Sequence, residues 1–161
     1  MALTNTQRTV LAAHIRANQD PLVVSALSAR NDTEMARLYN LDSTFIVWRE
    51  NIDPTEYREA MVWTEIDNLT IGKARIWEWI TQNMTMPVDA TKDNIRAGIA
   101  EVFPANQSTR AALLAIAKEP ASLAESIFAT GTGSNAAPGV RVFVGDVSIE
   151  DIGRALNDNP V

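Results

Sequence analysis

The sequence contains no cysteine, a single histidine and only three lysines in 161 residues. The missing cysteine removes thiolate nucleophiles, iron–sulfur ligation and most zinc sites, and is neutral about redox compartment. His14, the sole imidazole, has no carboxylate at helical spacing, so it is a poor general base and reads as a structural or surface residue. No apolar run approaches the ~20 residues of a membrane span. The opening MALTNTQRTV lacks the basic start and continuous apolar stretch of a secretory signal. A soluble protein made in a cytoplasm, with no membrane partner, is therefore expected. An excess of cations is missing as well: the net charge of −6 argues against a sequence-independent grip on phosphates.

What is present is ordinary in bulk: 46% apolar and 21% charged residues place the chain among globular domains. Its length suits one domain, residues 1–161, burying roughly two thirds of its unfolded surface without a disulfide or metal. The cations are unusual in kind, with 11 Arg against the 3 Lys. Arginine pairs bidentately and tolerates partial burial, which fits interfaces; genome bias is the alternative source of the same ratio.

The stretch from Asn68 to Met84 has the strongest helical pattern. At about 100° per residue, Leu69, Ile76 and Ile80 share a line, with Gly72 and Trp79 to one side and Trp77 and Met84 to the other. So wide a stripe predicts a central helix gripped on two or three sides, with Arg75, Glu78 and Gln82 in water.

Around it, Thr4 with Gln7 reads as a capping box opening a first helix through Ile15. Asp20-Pro21 opens a second, and Asp32 or Thr33 a third ending at Tyr39. Residues 1–42 thus form a group of short helices. Thr44 to Trp48 is β-branched and aromatic, the composition of a strand. Asp53-Pro54 opens a helix through Tyr57 and Met61, and another spans Ala90 to Phe103. From Asn106 to Thr130 one long helical pattern is kinked or restarted at Pro120, and its Ala111 to Ala117 run, apolar all round, indicates a helix fully enclosed or packed against another chain. Residues 131–139, GTGSNAAPG, read as a flexible or tightly turned loop. Val140 to Val144 reads as a second strand pairing with the first, and Ser148 with Asp151 as the capping box of a terminal helix. The predicted fold is mainly α, with six to seven helices, a helical core over 43–130, a minor two-stranded β element, and an assembly segment over 131–161.

No set of nucleophile, base and orienting group assembles from these residues, so no enzyme, metal or cofactor is expected. Glu50, Asp53, Glu56 and Glu59 could ligate a hard cation, but capping explains Asp53 and the helix dipole Glu56. The glycine loop lacks the Lys-Ser/Thr ending of a phosphate loop. Lys73 falls on the apolar side of the central helix and must snorkel, pair with an acid such as Glu65, or face a partner. Of the four tryptophans, Trp48, Trp63, Trp77 and Trp79, the last stands at the stripe's edge as an interface candidate. Candidate assembly contacts are Trp79, Lys73, Gly131, Gly133, Arg141 and Phe143.

Five runs carry a resemblance: EMARLYN at 34–40, FIVWR at 45–49, GKARIWEW at 72–79, NIRAG at 94–98 and FATGTGS at 128–134. They look like those of a family of small proteins encoded among the virion genes of tailed bacteriophages, most like a head-to-tail connector, the adaptor that rings the underside of a portal. The resemblance implies a homo-oligomeric ring in the virion, assembled in the host bacterial cytoplasm. Its implied partners are portal and tail or neck proteins, with packaged DNA nearby but not specifically bound. It maps no functional residues. A small acidic phage protein that binds a host factor or mimics nucleic acid, outside the virion, is the alternative.

Overall fold

The computed structural model describes residues 3–81 and 86–158. Its elements run α1 (Asn5–Ala17), α2 (Pro21–Ser28), α3 (Asp32–Tyr39), β1 (Asp42–Trp48), α4 (Pro54–Ala60), α5 (Trp63–Asp67), α6 (Ile71–Thr81), α7 (Asp93–Val102), α8 (Ser108–Ile116), β2 (Lys118–Ser122), α9 (Leu123–Phe128) and α10 (Ile149–Asp158). The fold is mainly helical with a two-stranded antiparallel sheet, β1 against β2. The described residues form ten helices, more than the six or seven expected; the short α5 was not anticipated, and β2 divides the long 106–130 pattern into α8 and α9.

The chain forms two compact units, Met1–Val47 with Pro120–Val161, and Trp48–Glu119. Residues 43–47 and 120–130, grouped with a central core in the sequence reading, cluster with the two ends of the chain.

In the first unit, local signals start the helices where expected. Thr4 and Gln7 form their reciprocal capping box, Asp20 caps α2 ahead of Pro21, and Ser148 and Asp151 exchange hydrogen bonds at the head of α10. The core joins Leu11 and Ile15 of α1, Met35 and Tyr39 of α3, Ala124 of α9 and Ile152 of α10. The Asp151 carboxylate also accepts the Leu3 amide at 3.2 Å and lies 3.6 Å from the Arg8 guanidinium. Burial alone would raise its pKa; hydrogen bonds from the Ser148 hydroxyl and the Leu3 and Ser148 amides, with Arg8, outweigh it and hold the carboxyl below its ordinary value. A depressed folded pKa gives stability that is present above the unfolded value and lost as pH falls through the folded one. Asp151→Asn is therefore expected to destabilise the first unit at pH 7, with the difference from the parent shrinking once pH drops below the ordinary 3.8. Urea unfolding of both proteins at neutral and acid pH checks this.

Three sequence expectations are corrected here. The partner of β1 is not Val140 to Val144 but Lys118–Ser122, inside the stretch that looked helical. Ser43 Oγ donates to the Ala121 carbonyl, and the Leu123 amide to Leu41. Pro120 is exposed there, where a missing amide costs little. Val140 makes only a bridge to Thr130, and the backbone bends at Val142 and Phe143. Of the two readings of the Ala111 to Ala117 run, full enclosure within the chain is not met, since Ala111 and Ala115 are exposed.

The 131–139 loop is fastened along the free side of β1 rather than hanging as a linker. The Ile46 amide donates to Gly133, the Gly139 amide to Ile46, and Thr130 and Val140 exchange both bonds. Gly133 has φ +65°, and a Cβ there would lie 2.2 Å from the Phe45 ring. Gly133→Ala combines left-handed strain with overpacking and is expected to cost about 2 to 4 kcal/mol, measured by equilibrium unfolding. A change within ~0.5 kcal/mol would mean that the loop does not seat against Phe45.

In the second unit the core is Tyr57, Trp77, Ile99, Phe103 and Leu113. Arg49, at the end of β1, ties it together. Its guanidinium donates to both oxygens of Glu56 at 2.6 and 2.9 Å and to the Ile116 carbonyl at 2.8 Å. Glu65 accepts the Ser108 and Thr109 amides at 3.0 and 2.9 Å, capping α8 from across the unit. Of the options open to Lys73, pairing with Glu65 is not the one taken: Lys73 Nζ donates to the Val102 carbonyl at the C-terminal end of α7, 3.3 Å away.

Candidate functional site

Helix α6 packs on α7, and its sequence stripe divides in two. Trp77, Ile80 and Thr81 are buried, whereas Ile71 is 78% exposed, Trp79 85% and Ile76 37%. The expectation of a helix gripped on two or three sides is therefore corrected. It is covered on one side, and Ile71, Arg75 and Trp79, four residues apart each, form an outward row. Of the flanking residues in the original pattern, Gln82 and Met84 lie outside the described residues.

Between α6 and α7 lies a groove of about 500 Å³ lined by Arg75, Ile76, Trp79, Ile80, Asn94, Ile95 and Gly98. Gly98 sets its floor. A Cβ at that position would stand 2.7 Å from Ile80 Cδ1, so the missing side chain lets the two helices approach and leaves the groove open above them. Gly98 also costs α7 some intrinsic helical stability. Arg75 at the lip is exposed and makes no hydrogen bond or ion pair with any described residue. Other arginines are engaged: Arg37 with Glu34, Arg49 with Glu56, Arg96 with Asp93 and Arg154 with Glu150. The groove thus offers an aromatic ledge, an aliphatic floor and one uncompensated cation. It can hold apolar side chains and a carboxylate; it holds no nucleophile or base.

Of the six candidate contacts, Trp79 alone stands in this groove. Lys73 is on the same helix but turned to Val102. Gly131 is exposed, with φ +95°, and Gly133 is buried under Phe45. Arg141 pairs with Glu125 at 3.5 Å, their side chains 11% and 9% exposed. Phe143 is buried, edge-on to Phe128 at 5.7 Å. These last three serve the packing of the first unit. Among the remaining tryptophans, Trp48 lies beneath the Arg96 guanidinium at 4.7 Å and Trp63 is exposed. Sequence reasoning missed Arg75, Ile76, Ile80, Asn94, Ile95 and Gly98 as site residues. The signal that could have found Arg75 was its spacing of four residues from Trp79.

His14 Nδ1 lies 2.9 Å from the Tyr39 hydroxyl, and burial lowers the imidazole pKa while pushing that of Tyr39 up to about 12. The pair has a packing role between α1 and α3. Among the described residues no group of three or more His, Asp or Glu is placed to hold a metal ion, and no helix is long and apolar enough to cross a membrane. No family model, curated protein or solved structure matches this chain.

Proposed function

We propose that the chain is a structural subunit of a tailed-phage virion, a head-to-tail connector that forms a ring between portal and tail and performs no catalytic chemistry. The reading rests on the resemblance carried by the five sequence runs and on one structural observation: Trp79, 85% exposed, stands in an apolar groove beside Arg75, which pairs with no described residue. A tryptophan so exposed gains nothing for the fold, whereas Trp and Arg are the residues on which interface energy concentrates. The partners under this reading are further copies of the chain together with portal and tail or neck proteins.

The distribution of acids supports assembly over imitation of nucleic acid. Asp20, Asp53, Glu65 and Asp151 cap helices, and Glu34, Glu56, Asp93 and Glu150 pair with arginines. A mimic would keep its carboxylates bare on one face.

The test is to make particles from a phage genome lacking this coding sequence and view them by electron microscopy. DNA-filled heads unattached to tails are expected. Restoration by the parent protein but not by Trp79→Glu would place the groove in the assembly. Normal joining without the protein would put the host-factor alternative in front.

A further inference from the structure

We infer that neighbouring copies join head to tail, the α6–α7 groove of one copy receiving the 142–150 segment of the next. The inference rests on the ring-forming reading above and adds its contact.

The segment is apolar on its outside and fixed from within. Val142 and Val144 are 65% and 48% exposed on either side of the buried Phe143, and Ile149 at the start of α10 is 52% exposed. Four attachments hold this profile in place. Phe143 packs on Phe128, Arg141 pairs with Glu125, and the Gly145 amide donates to Glu125 Oε1 at 3.1 Å. The Val147 amide and carbonyl both bond the Asn40 side chain, at 2.9 and 3.0 Å. Exposed apolar side chains on a backbone tied this firmly need little further ordering to bind. Between Val144 and Ile149 stands Asp146, exposed and making no hydrogen bond or ion pair with any described residue.

The two surfaces are complementary in kind. One is a groove with an aliphatic floor, an aromatic ledge and a free guanidinium. The other is a fixed row of aliphatic side chains around a free carboxylate. Each carries the charge that the other lacks, so a second copy supplies what both need. Self-pairing of the groove is disfavoured. An antiparallel two-fold pairing of α6 that covers both Ile71 and Trp79 centres on Arg75 and sets two guanidinium groups against each other. Because the groove and the segment are different surfaces, their contact is heterologous and repeats from copy to copy, closing into a ring when the rotation allows. Each contact is small, and closure multiplies it.

The absence of native cysteine makes the test direct. Arg75→Cys and Asp146→Cys proteins, purified separately and reduced, are mixed at millimolar concentration with copper phenanthroline as oxidant, one carrying a mass tag. Mixed disulfides are expected to form roughly tenfold faster than either homodimer and than an Arg75→Cys with Gln19→Cys control pair. Dominant Arg75→Cys homodimers would establish two-fold pairing of α6 and overturn the inference; so would mixed cross-linking no faster than the control. In parallel, sedimentation velocity should show self-association weakened roughly tenfold by Arg75→Asp or Asp146→Arg and recovered by the two together. Unchanged association in both single variants would also overturn it. Circular dichroism confirms that these exposed positions leave the fold intact. The measurements read contact between copies alone, whereas the particle experiment reads a place in the virion, so either idea can fail while the other stands.

Discussion

Truncating Trp77 is expected to cost about 3–5 kcal/mol, the range for removing a buried aromatic, whereas truncating Trp79 two residues away should change stability by no more than ~0.5 kcal/mol. Trp77 is 6% exposed, lies edge-on to Phe103 at 5.2 Å between ring centres, and tilts against Tyr57 at 6.0 Å. Its loss would open a void where α4, α6 and α7 contribute side chains to one cluster, and close packing allows only partial collapse into it. Trp79 has no such neighbours to lose. Equilibrium urea unfolding of Trp77→Ala and Trp79→Ala decides the matter. If the parent unfolds in two steps, the loss belongs to the transition of the second unit. Near-native stability of Trp77→Ala would contradict the assignment of α6 to that core, and a large loss in Trp79→Ala would mean that its outward face is covered.

Replacing Glu125 with Gln is expected to destabilise the first unit by about 3–5 kcal/mol, because it removes the carboxylate charge that faces a nearly buried guanidinium. Glu125 has three partners from three places in the chain. It accepts the Ser122 amide at 3.0 Å as part of the α9 capping box and the Gly145 amide at 3.1 Å, and faces Arg141 at 3.5 Å. Glutamine keeps one acceptor oxygen and loses the charge. The double variant Glu125→Gln/Arg141→Met should recover a substantial part of the loss, since the cation that faced the lost charge is then gone, and a double-mutant cycle by urea unfolding isolates the coupling. Additive effects would show that the pair contributes nothing beyond its two separate side chains. A charge reversal at Arg141, one of the candidate assembly contacts, would for the same reason report on the folding of the first unit before it reported on assembly.

The legible parts of this structure are those decided within one turn of chain. Thr4 with Gln7, Asp20-Pro21, Asp53-Pro54 and Ser148 with Asp151 each solve the problem of orphan amides with residues three apart or fewer, and each starts a helix where the spacing says. What failed was decided by partners far away. Lys118 to Ser122 has weak strand composition and a proline, yet it pairs with β1, whose register is set by contacts such as Ser43 with Ala121. Val140 to Val144 has strong strand composition but bends so that Phe143 can reach Phe128. In both segments tertiary packing overrode propensity. The capping of α8 by Glu65 spans more than forty residues and leaves no local trace in the sequence. The candidate groove was half visible. Periodicity found the wide apolar stripe of α6, but periodicity cannot tell a stripe filled by neighbours from one left bare, and on α6 part of it is bare.

The discontinuity of the first unit bears on how the chain is made. The second unit is one unbroken stretch, complete when Glu119 has left the ribosome. The first must wait, because α1 closes against α9 and α10, and the Leu3 amide finds its acceptor in Asp151, 148 positions later. At roughly 5–20 residues per second, α1, α2 and α3 spend several seconds outside the tunnel with Leu11, Ile15 and Met35 lacking that cover. Nascent chains in this interval combine a finished second unit with an unfinished first one. The apolar faces at the N-terminal end then stay in water until α9 and α10 arrive to cover them.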